Sequence, residues 1–147
     1  MSGDSDQGTE GSRDRGIWGE SEAAAVGFVL AGGRSSRMGS DKALVEFGGR
    51  PLIAHAVGIL KAAGLAVSIA GACAENRAGL EAYAPVIPDT EAGLGPLGGI
   101  CAALRSTTAS YGVFLPVDVP LMAPSLIAFL VRHAGGGGLW ARRSEPN

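Results

Sequence analysis

Three stretches of this sequence bring together residue types that could do chemistry. The first is Leu30-Ala31-Gly32-Gly33-Arg34-Ser35-Ser36-Arg37-Met38-Gly39-Ser40-Asp41-Lys42. Gly32, Gly33 and Gly39 allow the backbone to turn tightly and to approach a ligand closely. Free amides in such a loop form an anion-binding nest, and Arg34, Arg37 and Lys42 add positive charge suited to a triphosphate. The chain has ten arginines and only two lysines, yet a lysine closes this loop. A compact ammonium acts on a phosphate as a point charge, where a guanidinium fork is bulkier. The loop is not a P-loop, because Asp41 precedes Lys42 and Ala43 follows it, where a glycine and a hydroxyl residue would be needed.

The second and third stretches are acidic. Asp89 follows Val86-Ile87-Pro88, and Asp118 sits in Leu115-Pro116-Val117-Asp118-Val119-Pro120-Leu121. A carboxylate at the end of a buried apolar strand is costly unless it is paired or bound to a metal. Beside a polyphosphate it is repulsive unless Mg²⁺ lies between them. Asp118 therefore reads as a metal ligand facing the glycine loop, or else as a cap for the helix that follows. A second glycine run, Gly93-Leu94-Gly95-Pro96-Leu97-Gly98, fits G-x-G-x-x-G and opens a helix. A nicotinamide-dinucleotide fold is the reading that pattern supports. Against it, Thr90-Glu91-Ala92 separates the run from its strand, and Pro96 removes an amide that could face a pyrophosphate.

These residues need elements to position them. Val26–Leu30 and Gly112–Val117 are short, wholly apolar runs of the kind buried in a parallel sheet. Leu52, His55, Ala56, Ile59 and Leu60 recur at helical spacing and predict a helix from Pro51 to Ala63, closed by Gly64. A strand over Ala66–Ala70 follows. Ala43–Phe47 is expected as a small extended piece, Leu80–Tyr83 as a weak helix, and Val86–Ile87 as the start of a short strand. Leu97–Arg105 and Pro124–His133 are predicted helices, the latter with Leu126, Ile127 and Leu130 on one face. Leu139–Arg142 reads as a last strand. Strands alternating with helices imply an α/β domain whose parallel sheet is covered on both faces. Ligands of such sheets bind at the carboxyl ends of the strands, where the glycine loop, Asp89 and Asp118 all fall.

Composition bounds the rest. The chain has 147 residues, 46% hydrophobic and 18% charged, with a formal net charge of −2. That suits a single packed domain and argues against a nucleic-acid binder working by bulk charge. The first 24 residues carry six acidic and two basic side chains and few large apolar ones, so residues 1–24 are expected to be a disordered tail and residues 25–147 the folded domain. The apolar span Pro51–Ala74 is not a membrane helix, since Lys61 near its middle would cost about 2.5–3.5 kcal/mol in a bilayer. Two cysteines without a C-x-x-C spacing fit a reducing cytoplasm. Cys73 and Cys101, His55 and His133 are each read as packing or surface residues.

In combination, the motifs resemble the signature of the molybdenum cofactor guanylyltransferases. The glycine loop with Arg37 and Lys42 carries the resemblance, with Gly49-x-Pro51-Leu52, Pro88-Asp89, Gly95-Pro96-Leu97-x-Gly99-Ile100 and Asp118-x-Pro120-Leu121. It covers roughly Val26 to Arg142. The related cytidylyltransferases, the alternative within the pathway, carry a Ser-containing segment where this chain has Gly-Pro-Leu-Gly-Gly-Ile. The resemblance implies a three-layer α/β/α, Rossmann-like nucleotidyltransferase fold with strand order three-two-one-four-six-five-seven. It implies transfer of GMP from GTP to the molybdopterin phosphate, with loss of pyrophosphate and with Mg²⁺ as cofactor. Leu30, Ala31 and Gly32 would hold the nucleotide through the backbone, with Gly33 in the same loop. Lys42 would neutralise phosphates, Asp89 would contact the nucleotide, and Asp118 would hold Mg²⁺. Arg37 as a phosphate ligand follows from the loop's charge. The family often has an asparagine after the second strand, where this chain has Ala70 or Gly71. Family members also continue beyond this length, so the fold is expected to be incomplete at the C-terminus and the chain to bind GTP with the transfer step in question. No membrane and no nucleic acid is expected as a partner.

Overall fold

The computed structural model describes residues 25–32, 42–89 and 94–134. The expected tail (1–24), most of the glycine loop and the expected strand Leu139–Arg142 lie outside the described residues.

A parallel three-stranded sheet runs through the centre, in the order β4, β1, β5. Strand β1 (Ala25–Leu30) is the middle strand. On one side it pairs with β4 (Val67–Ala70), Leu30 opposite Ala70. On the other it pairs with β5 (Tyr111–Pro116), Leu30 opposite Pro116. A single parallel bridge, Ile69 to Val86, adds a fourth position outside β4. The chain thus moves outward from β1 to β4 to Val86, then crosses back to lay β5 on the far side of β1. That reversal is a topological switch point, and it makes the carboxyl end of β1 the natural ligand crevice.

Both faces of the sheet are covered, as the wholly apolar strands require. Alternate residues point to opposite sides. Val29, Ile69 and Leu115 join the core cluster with Ile53, Val57 and Leu60 of helix α1 (Leu52–Ala62). Phe28 and Ala70 point the other way, onto Ala103 of helix α3 (Pro96–Arg105). Phe28 also stacks on Phe114 of β5, ring centroids 5.2 Å apart. Gly27 lets α1 come close, because a Cβ there would stand 3.1 Å from Leu60 Cδ1. Helix α4 (Pro124–His133) lies beside α1, with Ile127 in the same core cluster. This is the three-layer α/β/α arrangement expected.

The departures from expectation are local. The helix predicted over Leu80–Tyr83 is α2, Arg77–Leu80. It starts earlier because the Leu80 amide bonds the Asn76 carbonyl at 3.2 Å, the fully buried Leu80 anchors its end, and Arg77 Nε bonds Glu81 Oε1 at 2.8 Å one turn on. Pro51 is not the first helical residue; it is extended, at φ −60° and ψ 145°, and precedes α1. The extended piece Ala43–Phe47 divides in two. Lys42–Leu44 forms a 3₁₀ turn, and β2 (Glu46–Phe47) pairs antiparallel with β3 (Arg50–Pro51). Gly48 and Gly49, at φ 57° and 78°, supply the two left-handed positions that a tight hairpin turn of this kind demands. On α4 only Ile127 of the expected apolar face is buried, while Leu126 and Leu130 are exposed. The helix is the outermost element of its layer, so one side of it has no described neighbour to pack on.

Candidate active site

The strand registers place three of the sequence candidates at one end of the sheet. Gly32 lies two residues past Leu30, and Asp118 two past Pro116, the residue opposite Leu30. Gly32 and Asp118 thus each follow the carboxyl end of one of two adjacent strands. Asp89 lies three residues past Val86, beyond the same end of the sheet but on the β4 side. Neighbouring strands are about 4.8 Å apart, so the strand paths that lead to Asp89 and to Asp118 lie roughly 14 Å apart across three spacings. Both residues are exposed.

The exposure of Asp118 corrects one step of the sequence argument. Its carboxylate does not need a partner to offset burial, because it is not buried; among the described residues no polar or charged side chain is. Its fitness for a cation rests on placement. It presents an exposed carboxylate past the carboxyl end of β5, and among the described residues no group of three or more acidic, histidine or cysteine side chains gathers to hold a metal ion.

Lys42 is exposed and begins the 3₁₀ turn, whose next residue, Ala43, is fully buried. That burial fixes the turn to the core and holds the Lys42 backbone in place. Leu30 ends β1 with its side chain packed on the α3 side. The Ala31 amide donates to the Ala70 carbonyl at 3.0 Å, so of its backbone groups only the carbonyl is left to face a ligand. Gly33 and Arg37 lie outside the described residues.

A close backbone contact that the sequence did not reveal lies behind Gly32. A Cβ on Gly32 would fall 2.1 Å from the Gly71 carbonyl oxygen, and one on Gly99 would fall 2.8 Å from the Gly71 Cα. Gly71 itself is at φ 75°. The ends of β1 and β4 and the first turn of α3 thus meet through three residues without side chains. The position following the second strand is filled by this contact: Ala70 is buried and Gly71 touches backbone on two sides. No side chain projects there toward a ligand. The signal available in the sequence was a lone glycine directly after a buried strand, in Ala70-Gly71-Ala72.

Past β4, the exposed Glu75 has its carboxyl held below the usual range. The Cys73 thiol hydrogen bond is the main cause and the residue's own amide the next. On the other flank, Asp118 forms one end of an open groove of about 540 Å³, completed by Phe47 from the β2–β3 hairpin and by residues from Val119 to Leu126. Sequence reasoning missed Phe47 and this groove, since nothing in the local pattern links residue 47 to residues 118–126.

Comparison with known proteins settles the lineage. The MobA-like NTP transferase domain matches the chain over residues 27–145. The chain belongs to this family. A molybdenum cofactor guanylyltransferase of Xanthomonas euvesicatoria is 43% identical over 108 residues, covering 72% of this chain and 53% of that protein. One from Pseudomonas putida is 41% identical over 113 residues, covering 75% and 58%. The chain spans about half the length of the curated relatives it matches. In fold it is similar to CMP-2-keto-3-deoxy-manno-octonic acid synthetase, whose solved structure holds CTP. The TM-score is 0.66 at 22% identity, over 78% of this chain and 48% of that one. Membership of the MobA-like family disfavours the nicotinamide-dinucleotide reading of Gly93–Gly98. Its last three residues begin α3, where Gly95 at φ 56° precedes Pro96 at the first helical position. No helix among the described residues is long and apolar enough to cross a membrane.

Proposed function

We propose that this chain forms the GTP-binding part of a molybdenum cofactor guanylyltransferase, an enzyme that moves GMP from GTP to the phosphate of molybdopterin. The observation that supports the reading is that Gly32, Asp89 and Asp118 all follow the carboxyl ends of strands around the switch point of a MobA-like domain. The relatives' printed names supply guanine and the molybdenum cofactor as the substrates to test.

In this reading the triphosphate lies over the carboxyl end of β1, against the glycine loop, with Leu30, Ala31, Gly32 and Gly33 contributing backbone contacts. The nucleoside reaches toward Asp89. Lys42 and Arg37 neutralise phosphate charge, and Asp118 supplies the carboxylate for a divalent cation, Mg²⁺ being our assignment. Such a cation, when bound, offsets charge on the triphosphate and on the departing pyrophosphate. An oxygen of the acceptor phosphate forms the new bond to the α-phosphorus, and the bond from that phosphorus to the oxygen bridging to the β-phosphate breaks. The attacking phosphate is already anionic, so no general base is required. The chain's contribution is alignment and charge placement.

Binding and transfer are tested separately. Thermal shift of the 147-residue protein with GTP, CTP, ATP and NAD, each with and without Mg²⁺, reads the first. Stabilisation by GTP with Mg²⁺ in preference to the others supports the assignment, and stabilisation by NAD alone overturns it. Release of pyrophosphate from GTP with molybdopterin present reads the second.

A further inference from the structure

Among the described residues the sheet ends at β5, which pairs with β1 and with nothing on its other side. Which of its backbone groups face outward follows from β1. The Gly27 and Ala31 amides donate to the Ala66 and Ala70 carbonyls, on the β4 side. Strand residues alternate the side to which they hydrogen-bond, so Phe28 and Leu30 bond toward β5. Val113 and Leu115, which flank the residue opposite Phe28, bond back to it. Gly112, Phe114 and Pro116 are left directing their backbone groups away from the sheet. A proline is tolerated in a strand at just such an outward position, where no ladder bond needs its N–H. Gly112 and Phe114 each present a free N–H and C=O, the template of an open edge. The layers beside this edge are also uncovered. On the α1 face, α4 is the outermost element, and Leu126, Phe129 and Leu130 recur along one side of it at helical spacing, all exposed. On the opposite face, Leu104 of α3 lies 3.5 Å from where a Gly112 Cβ would stand and is still 37% exposed.

The hand of the fold decides which direction of strand suits the edge. The crossover from β1 through α1 to β4 steps one way with its helix on one face; that from Val86 through α3 to β5 steps the other way with its helix on the opposite face. The two share a hand. Helix α4 lies on the α1 face, so a parallel strand reached from it and laid outside β5 would have the opposite hand, which such connections almost never take. An antiparallel strand is under no such restriction. We propose that this edge docks a second copy of the chain, the two β5 strands pairing antiparallel across a two-fold axis at Val113. In that register Gly112 of each copy faces Phe114 of the other, and all four N–H and C=O groups of each pair are satisfied. The Pro116 carbonyl stands opposite Ser110. Centring the axis on Phe114 instead would set Gly112 against Pro116 and leave the Gly112 carbonyl without a donor. The axis is perpendicular to the sheet, so the two α4 helices lie on one face, exposed stripe against exposed stripe, and the two Leu104 side chains lie on the other. Six strand residues are about 20 Å long, and helix layers on both faces make the flank about 30 Å deep. Paired flanks of that size approach the roughly 800 Å² per partner of a standard stable interface. The contact is isologous and closed, so it consumes the edge and does not propagate it. It is independent of the nucleotide reading above.

Sedimentation velocity of the 147-residue protein, from about 1 μM to about 1 mM, reads the association, with amide hydrogen exchange by NMR at both ends of that range. The parent should pass from its monomer mass of 14.7 kDa to twice that mass and go no further. At high concentration the Gly112 and Phe114 amides should exchange at least about tenfold more slowly, while those of Val113 and Leu115, already bonded to β1, stay as they were. Phe129→Gln combined with Leu130→Gln should raise the dissociation constant about tenfold. Both side chains are exposed, and an unchanged circular dichroism spectrum and urea midpoint confirm that the double variant is folded. A monomer throughout the range, growth past the dimer, or association unaffected by the double variant overturns the proposal. So does protection of Gly112 and Phe114 that is the same at both concentrations, since a segment of the same chain would then hold the edge.

Discussion

Four side chains, Arg37, Lys42, Asp89 and Asp118, carry the charge placement proposed for this site, and the exposed Lys42, Asp89 and Asp118 are open to substitution without touching the core. Asp118 is exposed, so Asp118→Ala should leave the stability of the apo protein within about 0.5 kcal/mol of the parent. It should remove the Mg²⁺-dependent part of the GTP thermal shift, measured by titrating GTP with and without the cation. Gly32 is different in kind. The Gly71 carbonyl occupies the space a methyl would need, so Gly32→Ala must push the strand ends apart. A loss of about 1–3 kcal/mol is expected in urea unfolding, with GTP binding weakened in the same protein. Glu75 offers a titration. Its carboxyl sits below the ordinary value because Cys73 donates to the ionised form. A depressed folded value means this contact favours the folded protein above the ordinary glutamate range and ceases to do so as pH falls through the lowered one. Side-chain NMR should find Glu75 titrating low, and Cys73→Ala should return it toward the usual value. At this scale the sequence was legible where chemistry is written in residue type. Gly32, Lys42, Asp89 and Asp118 were readable from their order and neighbours. Gly71 and Phe47 were not, because what matters about each is a neighbour remote in the chain.

Among the elements, apolar periodicity identified what buries a face. β1, α1, β4, α3, β5 and α4 all lie where the sequence placed them, to within a residue at their ends. What it read poorly was the short pieces. The 3₁₀ turn, the two-residue strands and α2 are too brief to show a period, and their bounds are set by contacts such as buried Ala43 and Leu80. α1 is the element on which both the sheet and α4 rest. Leu60 is fully buried in the main core cluster and lies against Gly27 of the central strand. Leu60→Ala should cost about 2–5 kcal/mol of stability by urea denaturation, more than any substitution among the site residues. The burial of α4 was misread because its apolar pattern is real, but the core meets it along Ile127 and Val131, which leaves Leu126 and Leu130 exposed. A helical stripe states which residues want cover and not whether cover is present.

On the scale of the whole molecule, the described surface carries a run of exposed apolar side chains along one flank: Leu121, Leu126, Phe129 and Leu130, with Phe47 nearby across the groove. Contiguous apolar surface of this kind promotes association. Replacing Phe129 and Leu130 by glutamine, outside the groove, should raise the concentration at which the protein stays monodisperse in light scattering without altering the GTP thermal shift. The fold class was legible at this scale because alternation of apolar strands and amphipathic helices leaves few architectures open. The chain order of the sheet came from the family resemblance, and the pairing of β1 with β5 rather than with a sequential neighbour is what brings Asp118 to Gly32.

That pairing also sets a timetable. The β1–β4 contact closes over a helix, but the β1–β5 register joins residue 25 to residue 111, across most of the described chain. Contacts so remote in sequence form late, since the entropy of closing a long loop must be met before they stabilise anything. The carboxyl ends of β1 and β5, which Gly32 and Asp118 follow, therefore come together only as folding finishes. The glycine loop's strand, α1 and β4 can be in place while the site is still open on one side. Competence to hold a nucleotide should then appear with the slowest refolding phase and vanish with the first opening of the native state, ahead of the loss of helix.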